Sequence, residues 1–423
     1  MRLLYLCLGY CLAPIAFLRE VWRAQRLADT RAGLLSRLGW GRTVASGSLW
    51  VHAVSVGEVA AAGPVLRRLA ADYPQRQLLL TTSTATGRRQ ALALYGRLAD
   101  IRYVPYDLPG CVRRFLRRAQ PQIGIILETE IWPTLYQACG RHDIPLVIAS
   151  ARLSERSVRR FQWARGLVRD VLGAAHVHVM AQSADDAARF IALGANPTRT
   201  RVCGNVKYDQ KVDPAALSAA GDLRRLLGAE RPVWVAGSTH DGEEIAVLDA
   251  HRRVRAECPS ALLVLAPRHP PRFEAVAQLL ERSGMTYVRR TKHLLVTAET
   301  DVLLLDTLGE LVRYYAAADL SFVGGSLVPI GGHNLLEPLS VRCAVLTGPS
   351  NSNDAPTARM LRAVGAIEVV SDAADLARAV TERFGNAAIS RKAVDAGTTV
   401  LDSNRGAVDL LCQTLRPLID RSV

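Results

Sequence analysis

The chain has 423 residues and 49% of them are apolar, which excludes a disordered protein and leaves room for two domains with full cores. The formal net charge is +14, carried almost entirely by arginine, since lysine occurs only at 207, 211, 292 and 392. That balance asks for an anionic partner, and the low aromatic content without basic–aromatic interleaving argues against nucleic acid. The eight cysteines (7, 11, 111, 139, 203, 258, 343 and 412) form no C-x-x-C pair, a scatter that fits reduced core thiols better than a disulfide frame or a zinc site.

In chain order, the first element is Leu3–Leu18, a run without a charge between Arg2 and Arg19. As a helix it spans about 24 Å, short of a hydrocarbon core of roughly 30 Å, and Pro14 interrupts it. Arg19, Arg23, Arg26, Arg31, Arg37 and Arg42 follow, with Trp22 and Trp40 among them. A cleaved signal peptide, a soluble core helix and a membrane anchor are the three readings. Positive charge after the apolar run and the lack of a clear A-x-A site favour an anchor over residues 1–25, a signal anchor or an interfacial helix. Its arginines would meet anionic headgroups on the cytoplasmic side.

From residue 48, apolar strand-like runs alternate with helical periodicity. The strands are expected at Ser48–Val54, Gln77–Thr82, Ile101–Val104, Ile123–Leu127, Leu146–Ala149, Val177–Ala181 and Arg201–Cys203. After a polar break that carries Pro214 they resume at Val233–Ala236, Leu262–Ala266, Thr286–Val288, Val302–Asp306, Leu320–Val323, Ala344–Thr347 and Ala366–Val370. Helices are expected between them, including a single one over Val59–Ala71, and the last fifty residues read as helices. Such alternation predicts an α/β fold of two Rossmann-like domains with parallel sheets, 26–210 and 211–423, facing a cleft. Ligands of open parallel sheets bind beyond the carboxyl ends of the strands.

Polar clusters fall at those ends. Ser55-Val-Gly-Glu58 closes the first strand, where Glu58 is a candidate general base or a plain helix-start carboxylate. Glu128 and Glu130 close the fourth, and Lys207 opens the linker in Gly204-Asn-Val-Lys-Tyr-Asp209. In the second half stand Gly237-Ser-Thr-His240 with acids at 241, 243 and 244, Pro267-Arg-His-Pro270, and Asp306-Thr-Leu-Gly-Glu310. The stretch Gly324-Gly-Ser-Leu-Val-Pro-Ile-Gly-Gly-His-Asn-Leu-Leu-Glu-Pro338 follows. This last stretch reads as strand, glycine loop and helix start, with unpaired backbone N–H groups aimed at an anion and Glu337 in reach of sugar hydroxyls. Arg268 suits a phosphate. Together these clusters predict nucleotide binding in the second domain. There is no G-x-x-x-x-G-K-[ST], G-x-G-x-x-G, D-x-D or H-E-x-x-H, so metal-dependent catalysis has no sequence signal. His176 and His178 alternate on a strand, as a metal pair or, more in keeping with the pattern, a core pair.

Val51-His-Ala-Val-Ser-Val-Gly-Glu58, Ile126-Leu-Glu-Thr-Glu-Ile-Trp-Pro133, Ala149-Ser-Ala-Arg-Leu-Ser154, Gly204–Asp209, Ala266-Pro-Arg-His269, Asp306–Glu310 and Gly331-Gly-His-Asn-Leu-Leu-Glu-Pro338 resemble the motifs of the transferases of 3-deoxy-D-manno-octulosonic acid (Kdo). Leu308 stands where methionine is more usual. The resemblance implies a GT-B fold and a CMP-Kdo donor, with no other cofactor. It implies a lipid A precursor as acceptor, at the cytoplasmic face of the inner membrane, and transfer with inversion. By the same resemblance Glu58 is the proton acceptor, and Glu128 and Lys207 support the transition state. Pro267, Arg268, His269, Leu308, Gly309, Glu310, Asn334, Leu335, Leu336 and Glu337 would hold CMP. Another GT-B glycosyltransferase with a different nucleotide sugar, or a catalytically silent nucleotide binder at the membrane, would leave much the same pattern.

Overall fold

A computed structural model describes residues 2–27, 31–162, 164–210, 214–292 and 295–420. The chain divides into two compact units, residues 1–210 together with 404–423, and residues 211–403.

The first unit holds seven parallel strands: β1 (Ser48–His52), β2 (Leu78–Thr82), β3 (Ala99–Tyr103), β4 (Pro121–Leu127), β5 (Leu146–Ala151), β6 (Val177–Ala181) and β7 (Thr200–Val202). Their order is β3-β2-β1-β4-β5-β6-β7. The second unit repeats the plan with β8 (Val233–Thr239), β9 (Leu262–Pro267), β10 (Tyr287–Arg289), β11 (Val302–Leu304), β12 (Leu320–Val323), β13 (Ala344–Thr347) and β14 (Ile367–Val369), in the order β10-β11-β9-β8-β12-β13-β14. Every expected strand forms, within a few residues of its expected limits. The physical reason is burial on both faces: in β1, β2, β5 and β9 every residue is buried, so each reads as a mainly apolar run, with polar residues such as Ser48, His52, Thr81 and Thr82 only toward its ends. Each first strand carries a fully buried tryptophan whose indole N–H has a partner. Trp50 donates to Thr81 Oγ1 at 2.8 Å, and Trp234 donates to His251 Nδ1 at 3.1 Å.

The order of strands reverses between β1 and β4 in one unit and between β8 and β12 in the other. At such a reversal the connections leave in opposite directions and open a crevice beyond the strand ends. This fixes where side chains after β1, β4, β8 and β12 can meet a ligand.

Three expectations change. The single helix over Val59–Ala71 is two, Val56–Ala61 and Gly63–Asp72, because Pro64 has no N–H to continue the first. Second, the domain expected at 211–423 ends at Ser403. The helix Ala407–Asp420 buries Ala407, Val408, Leu411, Cys412, Leu415, Leu418 and Ile419 in the core of the first unit, with Cys203 and Val206. Asp209 fixes its start by accepting the N–H groups of Gly406 and Val408, each at 2.7 Å. Third, no helix among the described residues is long and apolar enough to cross a membrane.

The first helix, Arg2–Leu27, has Pro14 inside it. Its Tyr5 hydroxyl donates to Asp107 Oδ2 at 2.7 Å, and Asp107 also accepts the N–H groups of Thr134 and Leu135, at the start of the helix Pro133–Arg141. Leu4, Leu8, Tyr10, Leu12, Ile15 and Leu18 are exposed. The side chains of Arg19, Trp22, Arg23, Arg26 and Arg31 lie outside the described residues. Arg37 is not a headgroup contact: it is buried, donates to the carbonyls of Ser83 and Val104, and lies 4.3 Å over the Tyr103 ring.

Asp209→Ala removes the acceptor from the start of helix 407–420. The expected loss is about 1–2 kcal/mol in chemical unfolding, with faster amide hydrogen exchange across 407–420. Unchanged exchange there would mean the cap does not hold the helix.

Candidate active site

In the first unit, the chain leaves β1 through Ser55, which caps the helix Val56–Ala61 and accepts the Glu58 N–H. Glu58 turns back: one carboxylate oxygen accepts the Val54 N–H at 2.8 Å and the other accepts the Ser55 hydroxyl at 3.0 Å. This resembles a capping box, except that the carboxylate takes the N–H of Val54, one residue before the cap, and the cap hydroxyl, so Glu58 has a helix-start role and is held by it. Burial, and after it the neighbouring Glu128 carboxylate, push its pKa up to about 7 against the pull of those two donors. Glu130 rises to about 7 as well, chiefly by burial. Two neighbouring carboxyl groups raised toward neutral pH by burial make this a candidate site for proton transfer.

Glu128 ends β4 with φ +58°, a left-handed backbone that is costly for a side chain with a Cβ and clusters at functional sites. Its carboxylate accepts from Lys207 Nζ at 2.8 Å. Lys207 is placed in turn from β5 and the linker. A bulge in β5 turns Ser150 to φ +52°, and its hydroxyl donates to Asn205 Oδ1 at 3.4 Å. Asn205 Oδ1 accepts the Lys207 N–H at 3.0 Å and starts the short turn Val206–Asp209. Glu58, Glu128, Glu130 and Lys207 thus gather beyond β1, β4 and β7 of one unit. Ser150 and Asn205 are support that the sequence reading missed. Asn205 was visible as a turn-starting residue, whereas the bulge at Ser150 leaves no sequence mark.

In the second unit, the residues expected to hold a nucleotide follow β9 (Pro267, Arg268, His269), β11 (Leu308, Gly309, Glu310) and β12 (Asn334 to Glu337). The sheet order puts β11, β9, β8 and β12 side by side. The Arg268 guanidinium lies near Glu337, whose carboxyl is raised by burial and lowered in part by that arginine and by Asn334. Leu308 is exposed and Gly309 has φ +83°. Glu310 accepts from Arg290 at 3.1 Å. Leu335 and Leu336 are buried, so only their backbone can face a ligand. Asn334 Oδ1 accepts the N–H of Leu336, where a short helix of five residues, Leu336–Ser340, begins.

The glycine loop after β12 corrects the sequence expectation. The N–H groups of its first half, Gly325, Ser326 and Leu327, are not open to an outside anion. Glu243, fully buried at the start of the helix Glu243–Glu257, fills the nest they make. Its two carboxylate oxygens accept from Gly325 N (2.6 Å), Ser326 N (2.9 Å), Leu327 N (2.8 Å) and His240 N (3.0 Å). Gly324 is needed here because a Cβ would lie 2.8 Å from the Ser238 carbonyl oxygen and 3.0 Å from the Glu243 carboxylate. The same brace holds His240 against His333, with their Nε2 atoms 2.8 Å apart and their rings 9° from parallel. His269 packs edge-on against His240 at 5.2 Å. Among the described residues no group of three or more His, Cys, Asp or Glu could hold a metal ion. His176 gives its Nε2 to the Tyr136 carbonyl at 2.9 Å, in the manner of a core histidine.

Replacing Glu243 by alanine leaves four backbone donors without their acceptor. The expected cost is roughly 3 kcal/mol or more in chemical unfolding. Glu243→Gln, which keeps the volume but loses half the acceptor capacity, should fall between. A variant within 0.5 kcal/mol of the original protein, about the scatter of ordinary surface changes, would show that water replaces the carboxylate.

The family described as 3-deoxy-D-manno-octulosonic-acid transferase (kdotransferase) matches residues 29–210. The 3-deoxy-D-manno-octulosonic acid transferase of Haemophilus influenzae is 39% identical over 376 residues, 89% of this chain and 88% of that protein. The enzyme of the same name from Bordetella pertussis is 37% identical over 388 residues, 86% of each. Among solved structures, UDP-GlcNAc 2-epimerase from Neisseria meningitidis bound to UDP-GlcNAc gives a TM-score of 0.58 at 13% identity, over 88% of this chain and 100% of that one. Anabaena HepE in complex with UDP and glucose gives 0.55 at 18% identity, over 88% and 99%. These two share the architecture of two parallel α/β sheets and nothing more is drawn from them. The identity to the two transferases extends over both units, and the chain belongs to the Kdo transferase family.

Proposed function

We propose that the protein transfers Kdo from CMP-Kdo to a hydroxyl of lipid A precursor, with inversion, in the assembly of lipopolysaccharide. The observation that carries this reading is Glu58: a rigidly held carboxylate at the strand-order reversal, with its pKa pushed up to about 7. A base of that strength takes the acceptor proton as the hydroxyl oxygen attacks the anomeric carbon. The bond to the CMP phosphate oxygen breaks, and CMP leaves with the electron pair. Lys207, paired to Glu128, is proposed to balance charge in the transition state. Arg268 and the residues after β9, β11 and β12 are proposed to hold CMP, with the arginine serving the phosphate in place of a metal ion.

The pH dependence has a definite sign. Glu58 acts only when ionised, so kcat/KM should rise with pH through about 7, the value its surroundings impose. The same raised value works against folding as pH rises. Between the ordinary carboxylate range and about 7 the unfolded chain releases its proton first, so the contribution of Glu58 to stability is present at low pH and declines across that interval.

Purified protein should therefore form product with CMP-Kdo and lipid A precursor, in the presence of a chelator, and none with UDP-sugars. Glu58→Gln is expected to lower kcat by on the order of 10²–10⁴ with CMP affinity kept, while Arg268→Ala is expected to act mainly on CMP affinity. Normal turnover by Glu58→Gln would remove the base assignment, and transfer from a UDP-sugar would change the donor.

We propose further that the protein works at the cytoplasmic face of the inner membrane, with the helix Arg2–Leu27 lying in the interface. The support is its row of exposed apolar side chains, Leu4, Leu8, Leu12 and Ile15, together with the net charge of +14. The protein should sediment with vesicles containing anionic lipid. Leu8→Asp with Leu12→Asp should reduce that fraction severalfold. Sedimentation unaffected by the pair would exclude this face.

A further inference from the structure

The placement of Glu243 has a chemical consequence for the second unit. Its carboxylate takes the N–H groups of Gly325, Ser326 and Leu327, the donors that a glycine loop after a strand would otherwise offer to a phosphate. Anion recognition at this crevice then draws on side chains in place of these three donors. Arg268 is one, after β9. Two more, His240 after β8 and His333 after β12, stand on the two strands between which the sheet order reverses.

The two imidazoles are joined by a single hydrogen bond, Nε2 to Nε2 at 2.8 Å. One ring must donate and the other accept, so in this arrangement the pair carries one proton between the two nitrogens and the accepting ring is neutral. The surroundings keep it so. Burial and then Arg268 hold His333 down to about 3. His240 is lowered by burial and by Arg268 and Arg272, against Glu243. His269, edge-on to His240, is lowered by burial, His240 and Arg268. Arg272 itself is paired with Asp241 and Glu244, and Glu337 faces Arg268. The crevice therefore sets two imidazole bases beside Arg268, whose field opposes their ionisation, and the charge that would let them ionise is the one a donor brings.

We propose that His240 and His333 form a proton-accepting anion subsite for the nucleotide donor: on binding, the pair takes one proton from solvent, and the imidazolium so formed donates to an anionic oxygen of the donor. No bond other than N–H and hydrogen bonds changes. The inference rests on the donor reading given above. The anionic oxygen is that of the CMP phosphate or of the sugar-acid carboxylate, and binding then strengthens as pH falls.

Isothermal titration of the full-length protein with CMP near pH 7.5, in buffers of different ionisation enthalpy, counts the protons taken up. The expected result is net uptake approaching one proton with CMP and none with cytidine. His240→Asn and His333→Asn should each abolish the uptake, weaken CMP about tenfold, and flatten the rise of Kd between pH 6 and 8.5. If CMP alone gives no uptake but CMP with free Kdo does, and the variants lose it, the subsite is assigned to the carboxylate. Uptake absent with both ligands, uptake that persists with cytidine, or uptake retained in the variants overturns the proposal. Should a variant misfold, the contrast of CMP with cytidine in the unaltered protein decides. Failure of the unaltered protein to bind CMP at all overturns the donor reading, and the subsite with it, whereas binding without uptake overturns the subsite alone.

Discussion

A carboxylate taken out of water must find hydrogen bonds or a cation, and that requirement organises both units. Glu243 gathers four backbone N–H groups and so fixes the loop after β12 against the turn after β8. Asp107 collects the start of one helix and the hydroxyl of Tyr5, Asp209 the start of another. Asp306 ties Arg289 and Thr291 at the end of the β11 strand. Glu58 is the exception that matters. Its two donors are both neutral and a second carboxylate stands near, so its charge is only partly compensated. The shortfall is what makes it a base near neutral pH. Lys207 pairs with Glu128 instead, and burial raises both Glu58 and Glu130 to about 7.

The two sheets solve the same problem with different outcomes. Each places its strand-order reversal beside its first strand, and each puts polar side chains there. In the first unit these are three carboxylates with one lysine. In the second they are Arg268 and the imidazoles of His240, His269 and His333, with Glu243 and Glu337 beside them. A single architecture thus carries two different sets of charged groups.

Much of this was legible in the amino-acid sequence, for reasons that can be named. Strands such as Leu78–Thr82 and Leu262–Pro267 are buried on both sides, and runs that are mainly apolar meet that demand. Glu58, Glu128 and Arg268 stood near strand ends and Lys207 in the linker, but a helix-start carboxylate or a linker lysine explained Glu58 and Lys207 as well, and the resemblance to the Kdo transferase motifs gave them their roles. What stayed hidden was of long range. Gly325, Ser326 and Leu327 are separated from Glu243 by more than eighty positions, so the loop looked open to an outside anion when its donors were already satisfied. The left-handed backbone of Glu128 and Ser150 is held by neighbours from other strands and has no local signature. Helix 407–420 has an ordinary amphipathic pattern, and the pattern does not say which core it completes.

That last helix gives the molecule a history as well as a shape. Because residues 404–423 return to the first unit, the second unit is an insertion within the first. On the ribosome the seven strands of the first sheet are made before residue 210, yet the groove that receives Leu411, Leu415 and Ile419 stays uncovered until the helix Ala407–Asp420 is made. The unit that begins first therefore finishes last, and its apolar surface must stay unaggregated throughout the synthesis of the other.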